Sequence, residues 1–121
     1  MKILHLTLKK KWFDMIASGE KKEEYREWKV YWINRLIVSS LSGAMNVYGG
    51  DYSYFKSFNI IRFKNGYAKD AAEMDVEWKG AKLTSEGNSE WGFTGKCIAI
   101  QLGKVLETRN YNPSLLNTEN K

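Results

Sequence analysis

Alternate positions of the segment GEKKEEYREW hold two cations, one carboxylate and an aromatic ring, which are types that suit a binding or catalytic site: Lys22, Glu24, Arg26 and Trp28. Lysine and arginine side chains hold phosphate and carbonyl groups, and a carboxylate beside a lysine can act as a general base on water. In a strand, the period of two places Glu24 and Arg26 on one face. Lys21 shares that face only if it lies in the turn after Gly19, and this is the position we expect.

A helix is the alternative for residues 21–28. One continuous helix as far as Val38 would align Trp28 with Trp32, and it would leave the charges as an ordinary solvated face. The strand instead directs the carboxylate and the guanidinium into a concave surface shared with the preceding helix. A further alternative is a structural ion network, in which the same charges tie that helix to a sheet.

Hydrophobic spacing predicts the elements that must position this segment. Alternation over residues 2–8 predicts a first strand, and apolar residues at Trp12, Phe13 and Ile16 predict a short helix that Gly19 ends. The later elements are a helix from Val30 that stops before Ser39, a loop over 39–53, strands over 54–64, 73–79 and 96–106, and a tight turn at Asn65-Gly66. We expect one domain over residues 1–109 and a loosely ordered tail over 110–121.

Composition argues against several classes of protein. The chain has 121 residues with one Cys and one His, so it can close a single core but has no disulfide framework and no zinc cluster. Neither a metal nor a cofactor is predicted. The start of the chain lacks the pattern of a signal peptide, and no apolar run approaches the roughly 20 residues of a membrane span. We therefore expect a cytoplasmic protein without a membrane partner.

The charge is unevenly distributed along the chain. The net charge is +5, and residues 1–35 hold nine basic and five acidic residues, a net charge of +4. Lys9, Lys10 and Lys11 crowd the start of the first predicted helix, where the helix dipole disfavours cations. This basic pole favours an anionic partner such as RNA or a nucleotide. If these lysines share a face with Lys21 and Arg26, single-stranded RNA should engage about three to five phosphates.

The residues at positions 19, 21, 24 and 26 fit the signature G-x-K-x-x-E-x-R, and in this motif the chain resembles the ASCH domains of the PUA-like superfamily. The resemblance extends to the Trp-led helix in KWFDMIASGEK. It also includes FKNGYAKDAAEMDVEW and EWGFTGKCIAIQLGKVLE, which are similar to a bacterial and phage subgroup of the family. Together these segments cover most of residues 1–107.

The resemblance implies an α+β fold, a small PUA-like β-barrel of five or six mixed strands with two or three short helices. It implies that the signature residues line a cleft beside the first helix and bind RNA or a nucleotide-like ligand. Some family members hydrolyse N4-acetylcytidine and others are ribonucleases, so an enzyme is the alternative function. The hydrolytic members carry threonine where this chain has Glu24, and covalent chemistry through a hydroxyl is therefore not expected.

The candidate site consists of a central group of charged residues and a set of secondary residues around it. Lys21 and Glu24 are the candidates for catalysis through an activated water, and with Arg26 they are also the candidates for ligand binding. If the chain is only an interaction module, these charges are structural and the protein partner is unknown. The other candidates for ligand binding carry groups that can stack on a base or contact a base edge or a phosphate: Arg62, Asn65, Tyr67, Trp12 and Lys10.

Overall fold

Alternating leucines build the first strand in the computed structural model of the chain, which describes residues 1–38 and 55–111. Strand β1 (Ile3–Leu8) buries Leu4, Leu6 and Leu8 on one face and turns the residues between them outward. Burial on a single face is the arrangement that a period of two produces. The predicted first strand is confirmed.

Helix α1 (Lys10–Ala17) follows β1 almost directly. It buries Phe13 and Ile16, which lie three positions apart and so share one face of the helix. The helix is followed by Gly19 with a φ of +85°, a conformation that costs glycine nothing because it has no Cβ. The predicted helix and its glycine stop are both confirmed.

The charged segment forms a strand and not a helix. Residues 18–22 link α1 to strand β2 (Glu23–Glu27), and a separate helix α2 (Val30–Leu36) follows. The alternative of one continuous helix through this segment is wrong. Because the chain changes direction between β2 and α2, a helix face and a strand face can meet at the same site.

Three further strands complete the sheet: β3 (Ile60–Asn65), β4 (Glu73–Thr84) and β5 (Cys97–Arg109). The strand order is β1-β3-β4-β5-β2, with β1 and β3 parallel and all other neighbours antiparallel. The pairing of β4 with β5 shifts register three times between Asp75 and Ala81, and such irregularities bend and twist a strand. The sheet curls into a half-barrel whose edge strands are β1 and β2.

The interior of the half-barrel holds one main apolar core. Both helices contribute to it, and the sheet supplies most of the remaining side chains. Its fully buried members include Leu4, Phe13, Leu36, Ile61, Phe63, Met74, Val76 and Ile98. This core fixes the helices against the sheet and so determines where the side chains near the edge strands point.

Two predicted boundaries need correction. β3 starts at Ile60 rather than at residue 54, because Phe55 makes only an isolated bridge with Ile37. The turn after β3 has the expected positive φ at Gly66, +87°, but six residues follow this glycine before β4 begins, so the connection is a loop rather than a tight hairpin. The segments predicted over 73–79 and 96–106 are confirmed as strands, and both are longer than predicted.

The structure confirms the α+β class, with a mixed five-stranded sheet and two α-helices among the residues it describes. The loop expected over 39–53 and the tail beyond residue 111 lie outside the described residues. Tyr111 packs edge-on against Phe13 at 5.3 Å between ring centroids, so the segment predicted to be loose begins with an anchored ring. No helix in residues 1–38 and 55–111 is long and apolar enough to cross a membrane.

Candidate functional site

A cleft of about 570 Å³ lies between the two edge strands of the half-barrel. The start of α1, helix α2, residues 91–93 and the loop after β3 complete its walls. Ligand cavities in proteins typically measure about 300–1,000 Å³. The aromatic residues of the wall are Trp12, Tyr25, Tyr31, Trp32, Tyr67, Trp91 and Phe93, and the charged ones are Lys9, Glu24, Arg26, Glu27 and Arg35.

Lys21 lies in the link after Gly19, as expected, but it does not line the cleft. Its side chain is fully buried, and its Nζ lies 3.1 Å from Oε1 of Glu24. The ammonium also donates hydrogen bonds to the backbone oxygens of Glu23, at 2.7 Å, and Trp91, at 2.9 Å. These three partners use all the donors that an ammonium has. Burial lowers the pKa of Lys21, and the attraction of Glu24 opposes that shift.

Glu24 is the centre of the charged cluster and part of the cleft wall. It is 5% exposed, with Oε1 facing Lys21 and Oε2 accepting a hydrogen bond from Nη1 of Arg26. One carboxylate therefore balances two cations, and the trio carries a net positive charge. Because a cation holds each carboxylate oxygen, this geometry orients the two cations, whereas general-base chemistry would require one of the contacts to break.

Arg26 joins the two edge strands. From β2 its guanidinium donates to the backbone oxygens of Tyr25, at 2.8 Å, and of Thr7 in β1, at 3.4 Å. Its Cζ lies 5.0 Å from the centre of the Trp32 ring, within the range of a cation–π contact. Glu24 and Arg26 thus share one face of β2 and border the same cavity as the start of α1, as the strand interpretation predicted.

Arg35 is a second guanidinium in the cleft, supplied by α2. It donates to the backbone oxygen of His5 at 3.2 Å and to the hydroxyl of Tyr31 at 3.3 Å. Its Cζ lies 5.3 Å from the centre of the Trp32 ring. Both arginines of the cleft therefore contact one indole, and both cap carbonyl groups of the edge strand β1.

Trp12 forms part of the wall and is held tightly by its surroundings. A Cβ placed on Gly92 would lie 2.6 Å from Cζ2 of the indole, so the ring packs directly on the glycine backbone. The Nζ atoms of Lys11 and Lys21 lie 4.8 and 5.5 Å from the ring centre. The protein itself already occupies much of this aromatic surface.

Four of the residues predicted for ligand binding lie outside the cleft, namely Lys21, described above, and three others. Lys10 forms an ion pair with Asp14 at 2.6 Å on the surface of α1. Arg62 projects from β3 toward Asp75, with Nε 2.8 Å from Oδ1. Asn65 ends β3 and pairs in register with Leu8 of β1. Of the predicted residues, the structure brings Glu24, Arg26, Trp12 and Tyr67 together at the cavity.

A second ion network accounts for Arg62. The carboxylate of Asp75 accepts hydrogen bonds from Arg62 and from Arg109, whose guanidinium also contacts Glu73 and Glu107. These hydrogen bonds, that of Arg62 first, lower the pKa of Asp75 to about 2. Arg62 therefore joins β3 to β4 through Asp75, and Arg109 joins the same carboxylate to β5. This part of the sheet does not line the cleft.

The sequence interpretation missed the contribution of α2. Tyr31 and Arg35 lie four positions apart and therefore on one helix face, and Trp32 lies beside them. The sequence analysis predicted the helix itself, and no motif singled out the arginine. The signal available was the unusual pairing of aromatic and basic residues at helical spacing immediately after the charged strand.

Among the residues that the structure describes, no group of three or more Asp, Glu, His or Cys side chains could hold a metal ion. No protein-family model, curated protein or solved structure matches the chain. The function is therefore argued from the composition and geometry of the cleft.

Proposed function

We propose that the cleft binds RNA or a nucleotide-like ligand, and that the half-barrel is an ASCH domain of the PUA-like type. The order of the signature residues supports the family assignment, as does a curled mixed sheet in which Glu24 and Arg26 lie beside the first helix. An RNA partner also fits the cytoplasmic location expected from the sequence.

The observation that carries the proposal is the combination of rings and cations in one cavity. The wall presents aromatic side chains from five separate parts of the chain beside Lys9, Arg26 and Arg35. Bases stack on aromatic side chains without requiring a particular sequence, and cations hold the backbone. Single-stranded RNA, whose bases are unstacked and accessible, is the form that such a surface recognises.

The buried pair of Lys21 and Glu24 supports binding over hydrolysis. An enzyme that uses Lys21 needs its ammonium at the ligand, yet that group lies outside the cleft wall and donates to three protein acceptors. In our proposal Lys21 and Glu24 are positioning residues. They hold Arg26 at the cavity, and Arg26 contacts a phosphate or a base carbonyl.

Fluorescence anisotropy with labelled single-stranded RNA of ten nucleotides tests the proposal. We expect binding by the wild-type protein and at least about tenfold weaker binding by Arg26→Gln, because that substitution removes a charged hydrogen-bond donor. Lys79→Gln is the matched control. It removes the same charge from an exposed position of β4 that does not line the cleft, and the affinity should stay within about twofold.

Two results would count against the binding function. One is equal affinity of the wild-type protein and Arg26→Gln, since the cleft would then not be the RNA site. The other is release of acetate from N4-acetylcytidine by the wild-type protein with loss of that release in Lys21→Met, because this result would establish the hydrolase instead.

A further inference from the structure

Arg35 differs from every other arginine of the chain. The four arginines all lie in the part that the structure describes, and Arg26, Arg62 and Arg109 form ion pairs with carboxylates. No carboxylate within residues 1–38 and 55–111 forms an ion pair with Arg35; its hydrogen bonds there go to a backbone carbonyl and a phenol. The guanidinium therefore lines the cleft without a described counter-ion.

The guanidinium of Arg35 also has donors to spare. A guanidinium carries five N–H groups, and the bonds to His5 and Tyr31 use two of them. Its planar fork matches two oxygens of a phosphate, which is the geometry of the strongest arginine contacts. The guanidinium of Arg35 would offer a bound anion both a positive charge and hydrogen-bond donors.

Tyr67 supplies the ring that is still accessible. It lines the same cleft and is 88% exposed, and within the described ranges it makes no ring contact or hydrogen bond. Trp32 already contacts two guanidinium groups, and Trp12 packs on the backbone of Gly92. A planar base therefore has more room to stack on the phenol of Tyr67 than on either indole.

We infer that Arg35 is the phosphate anchor of the cleft, and that the unit it takes is a single nucleotide whose base stacks on Tyr67. The cavity of about 570 Å³ is of a size that accommodates one such unit. This inference rests on the proposed function and deepens it, because it names the phosphate-bearing unit and the residue that holds it.

Isothermal titration calorimetry tests the inference with the four ribonucleoside 5′-monophosphates, their nucleosides and ribose 5-phosphate. For the wild-type protein we expect the best monophosphate to bind at least about tenfold tighter than its nucleoside, as a charge-assisted bidentate contact requires. Arg35→Gln should reduce that ratio to about threefold or less. Arg35→Lys should give an intermediate ratio, because it keeps the charge but loses the fork. Lys79→Gln should leave the ratio unchanged.

The base contact is measured separately. Tyr67→Ala should weaken binding of the monophosphate by about fivefold or more and leave binding of ribose 5-phosphate unchanged, because only the monophosphate has a base to stack.

If Arg35→Gln keeps the wild-type ratio of monophosphate affinity to nucleoside affinity, Arg35 is not the phosphate anchor. Equal losses for both ligands in Tyr67→Ala would overturn the base contact. RNA binding without binding of any monophosphate would overturn the inference and leave the proposed function standing, whereas failure of both ligands would overturn both.

Discussion

Nζ of Lys21 and Oε1 of Glu24 lie 3.1 Å apart, and neither side chain is more than 6% exposed. The pair forms a buried connection between the link after α1 and strand β2. Since Glu24 also holds Arg26, the lysine acts on the cleft through two intermediate contacts. The charged segment is therefore partly internal structure and partly cleft wall, with Arg26 at the boundary.

Replacing the buried lysine tests its structural role. Lys21→Met should lower the free energy of unfolding by about 3 kcal/mol, because it leaves Glu24 with one cation fewer and two backbone carbonyls without a donor. Urea denaturation followed by circular dichroism gives this value. Lys22→Met is the control, since Lys22 is exposed and its loss should change stability by about 0.5 kcal/mol or less. Equal stability of both variants would show that Lys21 is not a structural connection.

The sequence predicted the strand and the partnership of Glu24 with Arg26, because a period of two fixes which side chains share a face. It did not predict that Lys21 turns inward. Burial of an ammonium depends on acceptors from a distant part of the chain, here the backbone oxygen of Trp91, seventy positions away. Neither the composition nor the residue spacing of the segment indicates a contact with so distant a part of the chain.

The same limit applies to Arg62 and Arg35. Both are single basic residues in apolar surroundings along the sequence, and only the tertiary arrangement determines what each of them contacts. The antiparallel register places Arg62 opposite Asp75, which neutralises it, whereas α2 brings Arg35 to the open edge of β1 without a described carboxylate. Fold class and element types could be predicted from local sequence, but the topology was required to tell the arginine that pairs with a carboxylate from the one that lines the cleft.

Acid should weaken the second ion network. The pKa of Asp75 is lowered to about 2 from an ordinary value of 3.8, so its carboxylate stabilises the fold above the unfolded-state pKa and loses that contribution as the pH falls through about 4 toward 2. The contribution is about 2 kcal/mol at neutral pH. Asp75→Asn should therefore be less stable than the wild-type protein at pH 6, and the difference should shrink toward pH 2.

Urea denaturation at several pH values measures this difference. Asp70→Asn is the control, because Asp70 is exposed and has no ion pair within the described part of the chain. Its stability should follow that of the wild-type protein across the same range. A constant difference between wild-type and Asp75→Asn from pH 6 to pH 2 would contradict the lowered pKa.

Substitutions at two glycines in the loop before β5 distinguish the stability cost of backbone strain from the cost of disturbed packing in the cleft wall. Gly92 and Gly95 both have positive φ, +99° and +85°, but only at Gly92 would an added Cβ meet the ring of Trp12. Gly95→Ala should cost about 1 kcal/mol from its backbone alone. Gly92→Ala should cost about 2 kcal/mol more, since the indole must move.

Thermal unfolding and tryptophan fluorescence distinguish the two variants. Only Gly92→Ala should shift the emission spectrum of the native protein, because only that substitution displaces an indole of the wall. If both variants lose the same stability and keep the wild-type spectrum, Trp12 does not depend on the close approach of the glycine backbone.

The salt dependence of RNA binding should be weaker than the charge count of the sequence suggests. Lys21 is buried and Lys10 pairs with Asp14, which leaves Lys9, Arg26 and Arg35 as the cations of the cleft. Contact with about two or three phosphates of a single strand gives a slope of about −1.4 to −2.1 for log affinity against log salt concentration. Arg35→Gln should make the slope less negative by about 0.7, because it removes one phosphate contact.

Lys10→Gln is the control and should keep the wild-type slope, since Lys10 does not line the cleft. Anisotropy titrations from 50 to 300 mM salt measure all three slopes, and a slope steeper than about −3 that Lys10→Gln reduces would place the RNA on the surface of α1 instead.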